Sequence, residues 1–348
     1  MTVLALPILG VLFVFGVVLP AAALGSRAAL RGMRRHAADA GLHGHGALRY
    51  LLLVGPTALP LAWIIAACMH QAEAGTDPSV CMLPDEPGVL CPEVAGFACA
   101  LVLLVLLTGL PRVIREQRAL RSATSPLATQ TRARLDAMAR MWPDLGVLIA
   151  RMVVVDDNSA DPIATRGVFA PRVVVCARFV AALDDAALIG ALRHEAEHVR
   201  DRDPLRYFLA WWALAVNPLG RALLAPELAR WIATREVHCD REAVLSGAAA
   251  PALAQALVSA ARFPHALPAE ATGSALHAAD REVLRLRVEL LMAYSEREPA
   301  RCCQRVPVLR LAAACMVLAT ALAHQFGDGP LDTLHRATES AASFVTEE

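Results

Sequence analysis

The sequence predicts an α-helical membrane protein with about four transmembrane helices and a cytoplasmic α+β domain between the third and the fourth. Hydrophobic residues make up 56% of the 348 residues, and the mean hydropathy is +0.46. At this length, such values favour several spans over one large soluble core. The apolar runs are also separated by one long region that mixes helical and strand patterns. The formal net charge is zero, so we expect no direct binding of nucleic acid.

Four apolar runs predict where the chain crosses the membrane. Residues 2–24 are long enough for a spanning helix, and basic residues follow this run instead of preceding it, so we expect a retained span and no signal peptide. Residues 50–69 and 94–110 are the second and third runs. The fourth, residues 306–323, is shorter and carries Arg310 near its start, where a long side chain can reach the interface.

Loop charges orient these spans. Five arginines and one aspartate lie between the first two spans, whereas residues 70–93 contain five acidic residues and no arginine. Because cytoplasmic loops carry the excess of basic residues, the long arginine-flanked region is predicted to be cytoplasmic and residues 70–93 to be external. The predicted divisions are three spans with their loops at 1–111, a cytoplasmic domain at 112–305, a fourth span at 306–324 and an external tail at 325–348.

The cysteines agree with this topology. Cys81 and Cys91 are the two cysteines of the predicted external loop, where an oxidising compartment allows a disulfide. The pattern leaves two alternatives open, a disulfide between them or two free thiols. None of the nine cysteines forms the Cys-x-x-Cys pair that is typical of zinc sites.

Two extended segments and a helix are predicted within the cytoplasmic region. Residues 148–157 and 166–180 are rich in valine and are separated by turn-forming residues, which indicates a small sheet. The following segment, LDDAALIGALRHEAEH, has acidic residues in its first turn, apolar residues at helical spacing and no proline before Pro204. This pattern predicts a well-formed helix.

The predicted helix carries two histidines four residues apart. His194 and His198 should lie one turn apart on one face, so both imidazoles can reach one metal ion. In this pattern zinc lowers the pKa of a bound water, and the adjacent Glu195 accepts its proton during attack on a carbonyl. Glu197 is expected to face solvent. The pattern therefore predicts a zinc hydrolase site with Glu195 as general base.

A catalytic zinc site needs a third protein ligand and an open position for water. Residues 231–246 contain neither proline nor glycine and predict a second helix, which carries Glu236 and, one turn later, Asp240. We expect Glu236 to complete the ligand set and Asp240 to hydrogen-bond a ligand histidine and fix its tautomer. The alternative for both acids is a solvated helix face. His238 points to another side of this helix and is a candidate donor to substrate.

Together these motifs resemble a known family. His194-Glu195-x-x-His198 followed by Asp203, then YFLAWWALAVNPLG and REVHCDREAVL, resemble the membrane-bound antirepressor metallopeptidases of the BlaR/MecR type, the sensory transducers of β-lactam resistance. The four-span topology is also similar to theirs. The resemblance implies a gluzincin-type zinc metalloendopeptidase of the cytoplasmic membrane that cleaves a cytoplasmic protein, such as a transcriptional repressor, with self-cleavage as a further activity. Asp203 joins Asp240 as an expected partner of the ligands.

Alternatives to this interpretation remain. The Glu236-x-x-x-Asp240 helix is also similar to the Ste24/HtpX-type membrane quality-control proteases. A non-catalytic transducer would keep zinc as a structural clamp, although such a site has no use for Glu195. Residues 207–219 are either a hairpin at the membrane interface, an extra pair of spans or core.

The expected partners are membrane lipid, a protein or peptide substrate, and either a second copy of the chain or a separate sensor. We expect the substrate to bind in extended form beside residues 168–175, taken as an edge strand, with a central strand as the alternative.

The chain departs from the resembled family in its sensor. Acylation by penicillin relies on a serine with a lysine three positions on, and this chain contains no lysine. Only about two dozen residues follow Ala323, too few for a penicillin-binding domain. We therefore expect the signal to enter through the external loop, the spans or a partner protein.

The topology is tested with single cysteines introduced into a variant whose native cysteines are replaced by serine. A membrane-impermeant maleimide should label sites at 70–93 and beyond about residue 325 in intact cells, because these lie outside. Sites within 112–305 should react only after permeabilisation, which serves as the control for reactivity. External labelling of any site in that region would overturn the assignment.

Overall fold

The computed structural model describes residues 12–36, 46–73, 126–156, 162–263, 274–275 and 281–296, with scattered positions between 103 and 114. The described part of the chain is mostly helical. Its contacts divide the chain into two units. The first contains 1–110, 210–228 and 304–348, and the second contains 111–209 and 229–303.

The first unit begins with an apolar helix. A π-helical turn, Val14–Val18, leads into α1, Leu19–His36, and α2 covers Gly46–Glu73. By length and composition, Val14–Arg34 is the one helix among the described residues that could cross a membrane, with a mean hydropathy of 1.3 and 22% of its apolar window buried. The apolar part of α2, Gly46–Ala62, is shorter.

The other predicted spans receive little or no structural description. Of residues 94–110, only positions from 103 onward are described. Residues 306–323 and the pair Cys81 and Cys91 lie outside the described residues.

Side-chain hydrogen bonds join four segments of the first unit. Thr57 donates to the carbonyl of Ala213 at 2.8 Å, and the indole of Trp212 donates to the carbonyl of Val105 at 3.1 Å. The Asn217 amide donates to the carbonyl of Leu19 at 2.8 Å. The segment that the sequence left open at 207–219 is therefore the last part of a helix that ends at Val216, followed by the turn before the helix that begins at Gly220, and side-chain hydrogen bonds hold it to its neighbours.

The second unit is built on a four-stranded sheet in the order β1-β3-β2-β4. β1 pairs parallel with β3, whereas the β3–β2 and β2–β4 pairs are antiparallel. The strands are β1, Val153–Val155; β2, Ile163–Arg166; β3, Arg172–Cys176; and β4, Ser274–Ala275.

The sheet differs from the sequence prediction in three ways. Among residues 148–156 only β1 is extended, because the helix before β1 runs to Ala150, and β2 lies close to the predicted turn. Residues 177–180, predicted as the end of the second extended segment, are helical. Residues 168–175, expected as an edge, contribute β3, which is central. The reason is visible in β3 itself, where Val173 to Cys176 are all buried, as is typical of a strand with neighbours on both sides.

The second unit also contains most of the helices. Helix α6, Asp185–Asp201, begins where the side chain of Asp184 accepts the N–H of Ala187 at 2.7 Å. It ends at Arg202, whose left-handed backbone (φ 53°) turns the chain into the next helix. The remaining helices are α3, Pro126–Met141; α4, Pro143–Ala150; α5, Ala177–Ala182; α7, Asp203–Val216; α8, Gly220–Leu245; α9, Ala250–Arg262; and α10, Arg281–Glu296. The end of α7 and the beginning of α8, within residues 210–228, belong to the first unit.

Helix α6 lies in the core of this unit, in contact with α9 and with β2 and β3. Leu188 and Leu192 of α6 and Leu253 and Leu257 of α9 are fully buried. The two helices approach most closely at Gly190, where a Cβ atom would lie 3.1 Å from the Cα of Leu253. Gly190 is one turn before His194, so this close approach sets the position of the histidine-bearing part of α6.

The crossing at Gly190 can be tested by substitution. Gly190→Ala should lower the free energy of unfolding by about 1–3 kcal/mol, because the added methyl meets backbone that cannot move aside. The thermal unfolding midpoint of the purified protein in detergent measures this change. Gly146→Ala in α4 is the matched control, since its Cβ would meet nothing closer than 3.8 Å and helix propensity favours alanine. Equal midpoints for the two variants would contradict the close packing.

Candidate metal centre

Three side chains converge between α6 and α8. The Nε2 atoms of His194 and His198 are 3.1 Å apart. The carboxylate of Glu236 lies 3.4 Å from Nε2 of His194 and 3.6 Å from Nε2 of His198. All three residues are buried, and their ligand atoms lie within 4.8 Å of one another. The structure thus brings together the three residues that the sequence predicted as ligands.

Carboxylates hold the opposite side of each imidazole. Nδ1 of His194 lies 2.8 Å from Oδ1 of Asp240, and Nδ1 of His198 lies 2.7 Å from Oδ2 of Asp203. Because a carboxylate only accepts hydrogen bonds, the hydrogen bond with Asp203 favours a hydrogen on Nδ1 of His198, and the 2.8 Å contact with Asp240 favours the same tautomer for His194. In the neutral rings, the two Nε2 atoms therefore direct lone pairs toward each other.

This arrangement fits a metal ion. Lone pairs of two imidazoles and a carboxylate can share a buried space only if a positive charge lies between them. Four ligands in a tetrahedron with metal bonds of 2.0–2.2 Å lie about 3.3–3.6 Å from one another. The two Nε2 atoms are 3.1 Å apart, and the nearest oxygen of Glu236 is Oε2 for His194, at 3.4 Å, and Oε1 for His198, at 3.6 Å. Oε2 of Glu236 is buried, with Nη1 of Arg287 at 3.2 Å and Nε2 of His194 at 3.4 Å. The donor set is one that could hold a metal ion.

The buried charges around the centre favour a cation. Four carboxylates and two guanidinium groups surround it, which leaves an excess of negative charge when the histidines are neutral. An uncompensated buried charge costs several kcal/mol, so a cation would stabilise the cluster. The charged groups are Glu195, Asp203, Glu236, Asp240, Arg235 and Arg287.

A residue of the sheet holds Glu195 in place. It is fully buried, and its Oε2 accepts a hydrogen bond of 2.6 Å from the hydroxyl of Thr165 in β2. Its other oxygen, Oε1, is buried without a donor. One oxygen is therefore fixed, while the other retains a free lone pair beside the three converging ligands.

The pKa values of the two histidines reflect the same excess of negative charge. Burial alone would lower the pKa of His194, but Asp240 and Glu236 outweigh it and raise the value. Burial also acts against protonation of His198, yet Cys239 and Glu236 beside it raise its pKa well above the ordinary value. Cations are thus strongly favoured between these rings, and protons and a metal ion compete for the same lone pairs.

The acidic groups respond differently according to their neighbours. Burial would raise the pKa of Glu236, but His198 and Arg287 hold it well below its usual range. Asp240 is likewise lowered by Arg287 in spite of burial. Burial raises the pKa of Glu195, because its hydrogen bond with Thr165 and the nearby histidines do not offset the loss of water. Glu195 is the carboxylate of the centre with the greatest tendency to take up a proton.

Arginines orient the partner of His198. Arg235 lies 2.9 Å from Oδ2 of Asp203 and 2.8 Å from Oδ2 of Asp201, and Arg206 lies 3.1 Å from Oδ1 of Asp203. Asp203 comes directly after the left-handed Arg202, so the turn between α6 and α7 places it back against the histidine.

A second group of possible metal ligands shares His198 with the first. It consists of His198, Asp203 and Cys239, with the Cys239 sulfur 3.5 Å from Nδ1 of His198. Its chemistry fits a metal less well, because Nδ1 already carries the hydrogen that Asp203 accepts. The arginines described above also neutralise Asp203. The first group is therefore the better candidate.

Two residues differ from, or add to, the sequence prediction. Glu197, expected in solvent, is only 3% exposed and forms an ion pair with Arg200. The arginine three residues along compensates its charge, which allows the carboxylate to be buried. His238 is not among the converging groups. Its Nδ1 lies 3.1 Å from Arg241, and burial together with Arg235 and Arg241 lowers its pKa to about 4.

Thr165, Arg235 and Arg287 belong to the centre but were missed from the sequence. Thr165 and Arg287 lie far from the histidines in the chain, so no spacing argument connects them. Arg287 has one detectable signal, since it lies on the apolar stripe of α10, three residues after Leu284 and four before Leu291. A charge on such a stripe indicates a buried partner.

Comparison of the chain with known protein families, with curated proteins and with solved structures finds no match.

The raised histidine pKa values predict how pH affects the metal-free protein. A pKa raised by folding stabilises the fold below the unfolded value of about 6.5, and this stabilisation is lost as the pH rises through the raised values. The lowered pKa values of Glu236 and Asp240 stabilise above about pH 4 and are lost at lower pH. The unfolding midpoint of metal-free protein should therefore fall by at least about 3 °C between pH 6.5 and 9.

Added zinc should remove this fall, because the metal replaces the protons between the rings. Thermal unfolding after chelation, with and without zinc, measures both effects. His238 does not interfere, since its lowered pKa changes stability only below about pH 6.5. A midpoint that is constant or rising from pH 6.5 to 9 without metal would contradict the charge distribution described here.

Proposed function

We propose that the protein is an integral-membrane zinc metalloendopeptidase with its catalytic domain in the cytoplasm. The observation that carries the proposal is the convergence of His194, His198 and Glu236 in one buried space beside Glu195. Two histidines and one carboxylate, with a further position open, form a donor set that zinc uses in hydrolytic enzymes. When bound there, zinc would supply Lewis acidity that acidifies water and polarises the carbonyl of a peptide bond.

The residues around the centre have distinct roles in this reaction. His194, His198 and Glu236 hold the metal, while Asp240 and Asp203 keep the ring hydrogens on Nδ1 and so direct Nε2 inward. Glu195 is the general base. Thr165 fixes its Oε2, so the unpaired Oε1 accepts a proton from water and passes it to the leaving amine.

The arrangement favours catalysis over a purely structural metal site. A structural zinc site closes all four positions with protein ligands. Here three ligands converge, and the adjacent carboxylate has a buried oxygen without a donor. Burial of a carboxylate oxygen without a hydrogen-bond donor destabilises the fold. A role of Glu195 as proton acceptor would explain why this arrangement is retained.

The membrane part of the proposal rests on sequence and on one helix. Val14–Arg34 is long and apolar enough to span a bilayer, and Leu12, Val17 and Leu24 around it are exposed. Together with the other apolar runs and the arginine distribution, this supports a multi-pass protein of the cytoplasmic membrane.

The resemblance to the BlaR/MecR type suggests a regulatory substrate, a cytoplasmic protein such as a transcriptional repressor. The Ste24/HtpX-type alternative would instead cleave damaged membrane proteins. Comparative proteomics separates the two, since uncleaved substrate should accumulate in cells that carry an inactive variant. One or a few soluble regulators would favour the first, and many membrane proteins would favour the second.

Glu195→Gln tests the proposed chemistry. Zinc content should be unchanged because the three ligands remain, whereas hydrolysis of an unfolded protein substrate should fall by about 10³-fold or more because the proton acceptor is lost. His198→Ala should lose the metal as well. Metal content by mass spectrometry and cleavage of labelled casein are the measurements.

Glu289→Gln in α10 is the matched control for this test. Its carboxylate is more than half exposed and contacts only the exposed Arg285 among the residues described, so both metal content and activity should remain at the starting level. Full activity of purified Glu195→Gln, or wild-type protein that binds zinc but cleaves no protein, would end the proposal of a peptidase.

A further inference from the structure

Arg287 is the largest completely buried side chain of the described residues. It comes from α10, which follows the ligand-bearing helix α8 in the chain by way of α9, and its exposed fraction is 0%. An isolated guanidinium in such a place would destabilise the fold by several kcal/mol, so its position depends on the anionic groups that it contacts.

The contacts of Arg287 are with two residues of the metal centre. Its Nε and Nη2 form a fork to Asp240, at 2.7 Å to Oδ2 and 2.8 Å to Oδ1. Its remaining nitrogen, Nη1, lies 3.2 Å from Oε2 of Glu236. One planar cation thus binds both carboxylates on the same face of α8, which are one turn apart.

These contacts determine where the metal ligands point. Oδ1 of Asp240 receives Arg287 on one side and Nδ1 of His194 on the other, so the arginine fixes the carboxylate that fixes the ring. The contact with Oε2 restricts rotation of the Glu236 carboxylate. With the carboxylate held in this way, Oε2 lies 3.4 Å from Nε2 of His194 and Oε1 lies 3.6 Å from Nε2 of His198, so both oxygens face the histidines.

We propose that Arg287 is the positioning residue of the metal centre. It holds Glu236 in its ligating orientation and, through Asp240, holds the tautomer and direction of His194. The inference rests on the proposed zinc site but is independent of peptide hydrolysis, because it concerns how tightly and in what geometry the metal binds.

The proposal predicts that removal of Arg287 weakens metal binding, whereas simple electrostatics predicts that it strengthens metal binding. A positive charge beside a metal ligand repels a cation, so its removal should strengthen metal binding if charge alone matters. A positioning residue has the reverse effect, since its removal leaves Glu236 free to turn away. Loss of such outer contacts weakens metal affinity by about 10–100-fold in other sites.

The experiment uses the full-length protein in detergent with cobalt(II) as the probe. Affinity is measured by competition with a chromophoric chelator, and the ligand geometry by the visible absorption of bound cobalt. Arg287→Met should bind cobalt at least about tenfold more weakly, with weakened or shifted absorption bands. Arg287→Lys should be intermediate, because it keeps the charge without the fork.

Arg285→Met is the matched control on the same helix. Arg285 is exposed, and its side chain contacts Glu289 and no group of the metal centre, so both the affinity and the cobalt spectrum should remain unchanged. Because Arg287→Met leaves a buried acid unpaired, the double variant Arg287→Met with Asp240→Asn is included. It removes that charge while keeping an acceptor for His194, and it should be folded but still weak in cobalt binding.

The outcomes separate this inference from the proposed function. Wild-type protein that binds cobalt but cleaves no protein would end the peptidase proposal and leave the role of Arg287 testable by the same affinities. Folded Arg287 variants with wild-type affinity and spectrum would overturn the positioning role. Unfolding of the methionine, lysine and double variants alike would also overturn it, in favour of a purely structural role.

Discussion

The second unit depends on a buried cluster of negative charge between α6 and α8. Glu236 and Asp240 lie one turn apart on α8, both almost inaccessible to solvent. Two carboxylates one helical turn apart repel each other strongly where water is excluded. Cationic groups in contact with them are therefore needed to stabilise the fold. Imidazoles come from α6 and a guanidinium from α10. The packing of three helices is therefore linked to one electrostatic balance, and any ion that enters the centre takes part in that balance.

The surrounding scaffold is suited to holding this cluster in a fixed geometry. The three candidate metal ligands are on helices and not on loops, and α6 is confined by the sheet on one side and by α9 at Gly190 on another. The cap at Asp184 and the left-handed residue Arg202 define where α6 begins and ends. A site on such elements is held more accurately than one on mobile connections. Within this scaffold, Oε1 of Glu195 is a buried oxygen to which none of the described residues donates a hydrogen bond.

Local pattern predicted those parts of the structure that depend on residues close in sequence. His194, His198 and Glu195 follow from the helical period, and Glu236 with Asp240 follows from a stretch without helix breakers, so the gathering of the three ligands could be anticipated. Long-range contacts could not. Thr165 reaches Glu195 from β2, and nothing near Thr165 in the sequence indicates this pairing.

The incorrect sequence predictions also result from contacts that local sequence does not specify. Residues 168–175 were expected at an edge of the sheet, but strand order depends on which segments pair. The sequence prediction did not include β2, which lies beside a predicted turn and pairs with β3. Glu197 was expected in solvent because acids usually are, yet Arg200 compensates its charge within the core. In both cases, a partner elsewhere in the fold reversed what composition suggested.

The position of α10 in the chain has a consequence for biosynthesis. A ribosome makes the protein from its N-terminus at about 5–20 residues per second, so α6 and α8 emerge seconds before the segment that carries Arg287. During this interval Glu236 and Asp240 of α8 lack their guanidinium partner, so their burial away from water is less favourable. A nascent chain that ends after α9 contains His194, His198 and Glu236 but lacks Arg287, the guanidinium partner of Glu236 and Asp240. The ion pairs of the centre can therefore be complete only after α10 has been made.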